Sequence, residues 1–348
     1  MMVRRYSDIS RLAILCTTLV VSGCAFRQHD QSVSTWFPRF APSAPTAQFA
    51  ENPFGVTDAA LAVGDTMDPN EQLNLLRAGN IGWMRLVVDW SVAGVDSTHY
   101  DSRYLAQFDQ VVSRAGQVGV NVCLGLSYAP DWVHPGYAGR RYAPYPVRYR
   151  AWTGFVTDMV RRYSALGVHC YSIWNEPNSA RSFVPVTTTD DTWWTEYEAL
   201  LLMASGAIRT VDPGARIAAY ELAYRPSSKL EGQLALSLDR VGTAIDVVAV
   251  HYSTAIPGDI YDAMVTRIPA LNPVIRRHGV ELWLTETSGL HDIASAESVP
   301  KHDWVQALMM DFSHRPDTSS WNKTFVSPVS IAAMRAVATR YGAFRQDR

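Results

Sequence analysis

From residue 54 onward, short apolar runs rich in β-branched residues alternate with longer stretches whose apolar positions recur at helical spacing. The runs at 54–57, 83–89, 120–127, 170–175, 217–220, 247–251 and 282–285 predict seven strands. Residues 103–118 place Leu105, Phe108, Val111, Val112 and Ala115 on one face, as a helix packed on a sheet requires, and residues 192–211 behave likewise. Asp212-Pro213-Gly214 then reads as a helix stop and a turn, and Pro146 suits the opening turn of a helix running to residue 166. Strand–helix alternation of this kind predicts an α/β fold, a parallel sheet wrapped by helices. At about 300 residues, the expected form is a (β/α)8 TIM barrel. Its eighth strand is the weak point. Residues 312–327 are polar and interrupted by Pro316, and a helical stretch at 328–340 follows. The last strand is expected to be short and irregular near 320–325, or the barrel to be incomplete there.

The first residues read as an address label rather than as fold. Arg4 and Arg5 precede an apolar run at 12–21, too short to span a bilayer as a stable helix, and then Val21-Ser22-Gly23-Cys24. The small residues before Cys24 resemble the lipobox of bacterial lipoproteins. That resemblance implies removal of residues 1–23, lipidation of Cys24 and membrane attachment through it. Ala25 after the cysteine favours the outer over the inner membrane under enterobacterial sorting. An ordinary secretory peptide or an uncleaved anchor, with Cys24 incidental, is the alternative. Residues 25–50, rich in Ser, Pro, Ala and Gln, read as a tether, which leaves 51–348 as one catalytic domain.

Charge narrows the partners. The formal net charge is −2, and it becomes −4 when the leader takes away three Arg and one Asp, so nothing points to nucleic acid. Cys123 and Cys170 remain inside the fold. Both lie in apolar strand-like runs, where the reading is of free buried thiols acting as small hydrophobes, with a disulfide as the alternative.

Two segments suggest chemistry. Ile173-Trp174-Asn175-Glu176-Pro177-Asn178 ends the fourth predicted strand, and Trp283-Leu284-Thr285-Glu286-Thr287 ends the seventh. Strand carboxyl ends gather around one mouth of such a barrel, so Glu176 and Glu286 can face each other. A glycosidic bond is split with retention by such a pair, one carboxylic acid for the leaving oxygen and one carboxylate for the anomeric carbon. Like-charge repulsion favours the proton on the acid. Pro177 favours an extended backbone at Glu176, and Asn175 can donate to a sugar hydroxyl. Among the nine histidines there is no His-x-His or His-Glu-x-x-His, and no Gly-x-Ser-x-Gly or phosphate-binding glycine loop is present, so metal, serine-hydrolase and nucleotide readings lose support. Glu221, after the fifth strand, lacks the flanking pattern of the other two.

These motifs resemble those of clan A glycoside hydrolases. Trp-Asn-Glu-Pro-Asn narrows the likeness toward family 39 and endo-acting relatives on bacterial exopolysaccharides, with families 5 and 42 sharing much of it. The likeness covers roughly residues 52–290 and fades afterwards, where such enzymes place a strand-eight tryptophan under the sugar; Trp321 is a poor substitute. It implies Glu176 as acid/base and Glu286 as nucleophile. It also implies that Arg85 on strand two holds the nucleophile, and that His251 and Tyr252 on strand six neighbour it. Tyr128-Ala129-Pro130-Asp131-Trp132 resembles the aromatic loop lining the cleft, making Tyr128 and Trp132 substrate contacts, with Tyr142, Tyr145 and Tyr149 extending it. Arg85 as a simple ion pair and His251 as a core histidine are the plainer readings. The expected protein is an envelope lipoprotein that cleaves internal β-linkages of a polysaccharide, with no cofactor, metal or obligate protein partner. The alternatives are an exo-acting β-glycosidase and an inactive glycan-binding barrel.

Overall fold

The apolar runs become eight strands: β1 (Phe54–Thr57), β2 (Trp83–Asp89), β3 (Asn121–Ser127), β4 (Cys170–Ile173), β5 (Arg216–Ala223), β6 (Val247–Tyr252), β7 (Glu281–Thr287) and β8 (Ala307–Asp311). In the computed structural model, which describes residues 54–57, 69–78, 81–187, 193–225, 227–252, 268–287 and 307–311, all pair in parallel and in sequence order. β8 pairs with both β7 and β1, so the barrel closes. That corrects the expectation of an incomplete barrel or a last strand near 320–325. The strand lies earlier, and Ala-Leu-Met-Met-Asp holds no β-branched residue to announce it. The stretches at 320–325 and 328–340, like Cys24 and the tether, lie outside the described residues.

Helices α1 (Pro69–Ala78), α2 (Trp90–Ala93), α3 (Ser102–Val118), α4 (Tyr149–Ser164), α5 (Trp193–Val211), α6 (Ser228–Val241) and α7 (Asn272–Arg276) occupy the connections. The apolar face predicted on α3 is buried as expected. Asp101 caps its N-terminus through bonds from Arg103 N–H and Tyr104 N–H, and Gly119 ends it in the left-handed region at φ 78°. Pro146 opens a short 3₁₀ turn (Pro146–Arg148) just before α4 rather than the helix itself. Among the described residues no helix is long and apolar enough to cross a membrane.

Side chains fill the barrel in layers, as a packed core rather than a pore. Near the amino ends of the strands Arg216 pairs with Glu281, which also accepts from Trp283 Nε1–H at 2.9 Å. Above them Trp83, Cys123, Cys170, Ala218, Val247, Ala249 and Trp283 form a buried cluster. Cys123 and Cys170 sit directly in register on β3 and β4, their Cα atoms 4.5 Å apart, and are joined as a disulfide. The expectation of free thiols is corrected: two inward positions at one level of adjacent strands bring the sulfurs together.

Candidate active site

Inward positions alternate along each strand: 83 and 85 on β2, 170 and 172 on β4, 216 and 218 on β5, 247, 249 and 251 on β6. Strict alternation would next aim Trp174 and Tyr220 inward and Glu221 outward. The backbone breaks that rule at the mouth. Trp174 (φ 66°), Glu176 (φ 45°), Tyr220 (φ 74°) and Glu221 (φ 41°) all adopt the left-handed region, and Tyr128 (φ 67°) does so just after β3. Each costs a non-glycine residue of order 1–3 kcal/mol and persists only where the surroundings enforce it. The β5–β6 register slips between Ala219 and Leu222, the mark of a bulge. Tyr220 consequently packs outward against Tyr197 and Trp194 of α5, and Glu221 turns into the barrel. A second irregularity, between Val250 and His251, shifts the β6–β7 register and pairs His251 with Glu286. Glu176 is therefore not extended, as its place before Pro177 suggested. Its left-handed turn is held by a bond from its own N–H to the Glu221 carbonyl at 3.1 Å. Asn178 secures the same loop by donating to the Ala223 carbonyl and accepting from the Ala223 N–H, both at 3.0 Å.

The result is a charged cluster spanning five strands. Glu221, fully buried, accepts from Arg85 Nε–H at 3.2 Å, from the Thr285 hydroxyl at 2.7 Å and from His251 Nε2–H. His251 Nδ1–H donates to Glu176 at 3.2 Å and lies 3.6 Å from Glu286. Arg85 donates through Nη2 to the Asn175 side-chain oxygen at 2.9 Å, and its Nη1 lies 3.7 Å from Glu286. The Asn175 NH₂ group has no acceptor among the described residues. Glu176 and Glu286, each about one quarter exposed, are the members that meet solvent.

Electrostatics follow from this geometry. Burial works against the charge on Glu221, but Arg85 and His251 hold its carboxyl well below the usual carboxylate range. Burial likewise disfavours the His251 cation, and Glu286 and Glu221 overcome it, raising that imidazole to about 9. Arg85 is also raised by Glu221 and Glu286 against its burial. Carboxylates at both ring nitrogens make His251 an imidazolium with two N–H donors. Glu176, His251 and Glu286 offer ligand atoms within 4.8 Å of one another, a spacing that could hold a metal ion.

Of the residues singled out from sequence, Arg85, Asn175, Glu176, His251 and Glu286 come together. Tyr252 is buried at the end of β6, opposite Thr287. Tyr128 borders the cluster with its ring near Trp174 at 6.3 Å and the Arg140 guanidinium 4.0 Å over it. Trp132, half-buried, packs its ring against Trp90 and donates its indole N–H to the Gly94 carbonyl at 3.1 Å. Tyr142 and Tyr145 group with Tyr137, and burial raises the Tyr149 phenol. The residue the sequence reading passed over is Glu221. Its signal is a carboxylate closing an otherwise apolar strand, but the bulge that aims it inward has no sequence mark.

The sequence profile of Cellulase (glycosyl hydrolase family 5) matches residues 48–232, just over half of the chain, including Arg85, Glu176 and Glu221. No curated protein matches significantly. Among solved structures the chain resembles a glucosidase from Croceicoccus marinus (13% identity, TM-score 0.61, covering 86% of this chain and 69% of that one). It also resembles a family 39 glycoside hydrolase from Bacteroides cellulosilyticus WH2 (16%, 0.62, 85% and 65%) and an endo-beta-1,4-mannanase from Thermotoga petrophila (12%, 0.61, 86% and 78%). The chain thus spans about two thirds of the length of the first two, and identities this low speak to the shared barrel. Fold and neighbours agree with the clan A likeness drawn from Trp-Asn-Glu-Pro-Asn, and the matching profile is one of the families that share the motif. The chain belongs to the cellulase family, glycosyl hydrolase family 5.

Proposed function

We propose that this glycoside hydrolase is a retaining enzyme cleaving internal β-linkages of a cell-envelope polysaccharide, with Glu176 as acid/base and Glu286 as nucleophile. The observation that supports this best is the approach of the two carboxylates, whose oxygens lie within 4.8 Å of each other beside His251. Retaining enzymes hold their carboxyl groups about 5–5.5 Å apart, whereas inverting ones leave about 6.5–9.5 Å for a water. Charge at the site supports the assignment of roles. Arg85 and His251 bring two positive charges against the one negative charge of Glu221, an excess that suits a carboxylate nucleophile beside a general acid. Arg85 Nη1 lies 3.7 Å from Glu286, which favours Glu286 as the attacking carboxylate.

In the first step Glu286 attacks the anomeric carbon as Glu176 passes its proton to the departing oxygen, forming a glycosyl ester on Glu286. In the second step Glu176 takes a proton from water, which attacks the same carbon and frees Glu286. His251 and Arg85 hold both carboxylates in place throughout, so that little reorganisation is needed as charge moves between them. Lipidation at Cys24 and a tether over 25–50 would keep the barrel at the envelope, with the outer membrane as the favoured site.

Reducing-end release from a panel of β-linked polysaccharides tests the reading. Activity is expected to fall by roughly 10³-fold or more in both Glu176→Gln and Glu286→Gln. Proton NMR should show the β-anomer of the new reducing end first, and products should be oligosaccharides. Activity surviving in both variants overturns the site. Release of monosaccharide alone favours an exo-acting enzyme, and glycan binding without turnover in any form favours a binding barrel.

A further inference from the structure

Two mouth loops carry charge that catalysis does not use. The connection from β3 to α4 holds Arg140, Arg141 and Arg148, with Arg150 in the first turn of α4, against a single carboxylate, Asp131. Asp131 is turned back on its own loop, accepting from Gly139 N–H at 2.9 Å. The connection from β4 to α5 adds Arg181; its described part has no acid between Pro177 and Thr187, and Asp190 and Asp191 follow outside the described residues. The two loops form one surface: Val184 N–H donates to the Arg141 carbonyl at 2.8 Å and Ala143 N–H to the Val184 carbonyl at 3.0 Å. Arg141, Arg148, Arg150 and Arg181 are exposed and make no ion pair among the described residues. In a chain with 31 basic and 33 acidic residues, these described stretches therefore carry an excess of cations.

This surface begins at the glutamates. Arg140 lies over the Tyr128 ring, which borders Glu176. Its Nη1 is bonded to Asp89, while its Nε and Nη2 have no acceptor among the described residues, although the side chain is 55% exposed. Farther out, Tyr137 and Tyr142 stack at 4.7 Å with the Arg141 guanidinium 5.3 Å from the Tyr142 ring. Tyrosine rings take the C–H faces of sugars, and guanidinium forks match carboxylates in planar, two-bonded pairs. Interleaved, the two chemistries suit a sugar chain that carries an acid group on its rings.

We propose that the joined loops after β3 and β4 form a subsite for an acidic polysaccharide, binding uronate carboxylates through Arg140, Arg141 and Arg181 on one side of the cleaved bond. The inference rests on the hydrolase reading for where that bond lies, but its binding test does not depend on turnover. Full-length Glu286→Gln protein is titrated calorimetrically with hexameric β-1,4-glucuronate and with cellohexaose, its carboxyl-reduced counterpart, and with the corresponding mannuronate and mannohexaose pair. In at least one pair the uronate is expected to bind about tenfold more tightly at low salt, the preference shrinking as salt screens the contacts. The added change Arg141→Gln/Arg181→Gln, at two solvent-facing positions, should remove most of that preference while circular dichroism shows the barrel intact. Equal affinity within both pairs, tighter binding of the neutral members, or binding of neither overturns the proposal. Selective uronate binding by a protein whose wild type cleaves no polymer would uphold this subsite and sink the hydrolase reading instead.

Discussion

Glu221 shows how one buried charge organises a site it does not share with substrate. It is the anion that Arg85, His251 and Thr285 all address, and Arg85 and His251 in turn touch Asn175, Glu176 and Glu286. Replacing it by glutamine leaves two buried cations short of a counter-charge, which typically costs about 3–5 kcal/mol. Glu221→Gln should therefore lower the unfolding free energy by that order in urea. Among molecules that still fold, the His251 ring should lose its proton at lower pH, visible by NMR. An unchanged His251 titration would mean that Glu286 alone sustains the imidazolium. In the native protein His251 is raised from 6.5 to about 9. Between these values the folded state holds a proton that the unfolded chain has released, so stability falls as pH rises through that window. The full contribution, about 3 kcal/mol for this buried group, is present below 6.5 and gone above 9. Unfolding midpoints from pH 6 to 10 should trace this decline, and it should flatten in His251→Gln.

At the scale of elements, seven strands were legible because burial on both faces makes them continuous apolar runs, and the faces of the main helices because burial on one side imposes a period of 3.6. What was not legible are the departures from those patterns. The bulge at Tyr220 and Glu221 reverses the inward set of β5, and nothing in Ala-Tyr-Glu-Leu distinguishes it from a regular strand. The left-handed turns at Trp174 and Glu176 occur without glycine, since contacts across strands compensate their strain. Asn178 is one such contact, and the motif Asn-Glu-Pro-Asn gains a physical reason from it. The second asparagine ties the Glu176 loop to the bulged end of β5. Asn178→Ala should cost about 1–3 kcal/mol by stranding two backbone groups, and it should lower kcat through displacement of Glu176. Asn178→Asp, which keeps the acceptor for Ala223 N–H and loses the donor, should fall between. An alanine variant with native kcat would show that the loop holds its turn without the clamp.

On the scale of the whole molecule, closure of the barrel and the disulfide inside it depend on register, which composition does not announce. β8 lacks the β-branched residues that mark a strand, yet it is the element that joins β7 to β1. Cys123 and Cys170 are 47 residues apart in sequence and look independent until β3 and β4 are set side by side. The bridge ties neighbouring strands and encloses α4, so it restricts the unfolded chain more than the folded one. Chain-entropy reasoning for a loop of this length gives about 4 kcal/mol, an upper figure because the closed barrel already fixes both cysteines. Cys123→Ala/Cys170→Ala should accordingly lower Tm by on the order of 10 °C, while the glutamate cluster, one layer higher, keeps its geometry and its activity. Such a bond also needs an oxidising compartment to form, which links the barrel interior to the proposed export of the chain. Protein recovered from the periplasmic face should have neither thiol open to alkylation after denaturation, whereas protein retained in the cytoplasm by deletion of residues 1–23 should have both open and melt lower. Two open thiols in the exported form would separate the fold from the envelope location proposed for it.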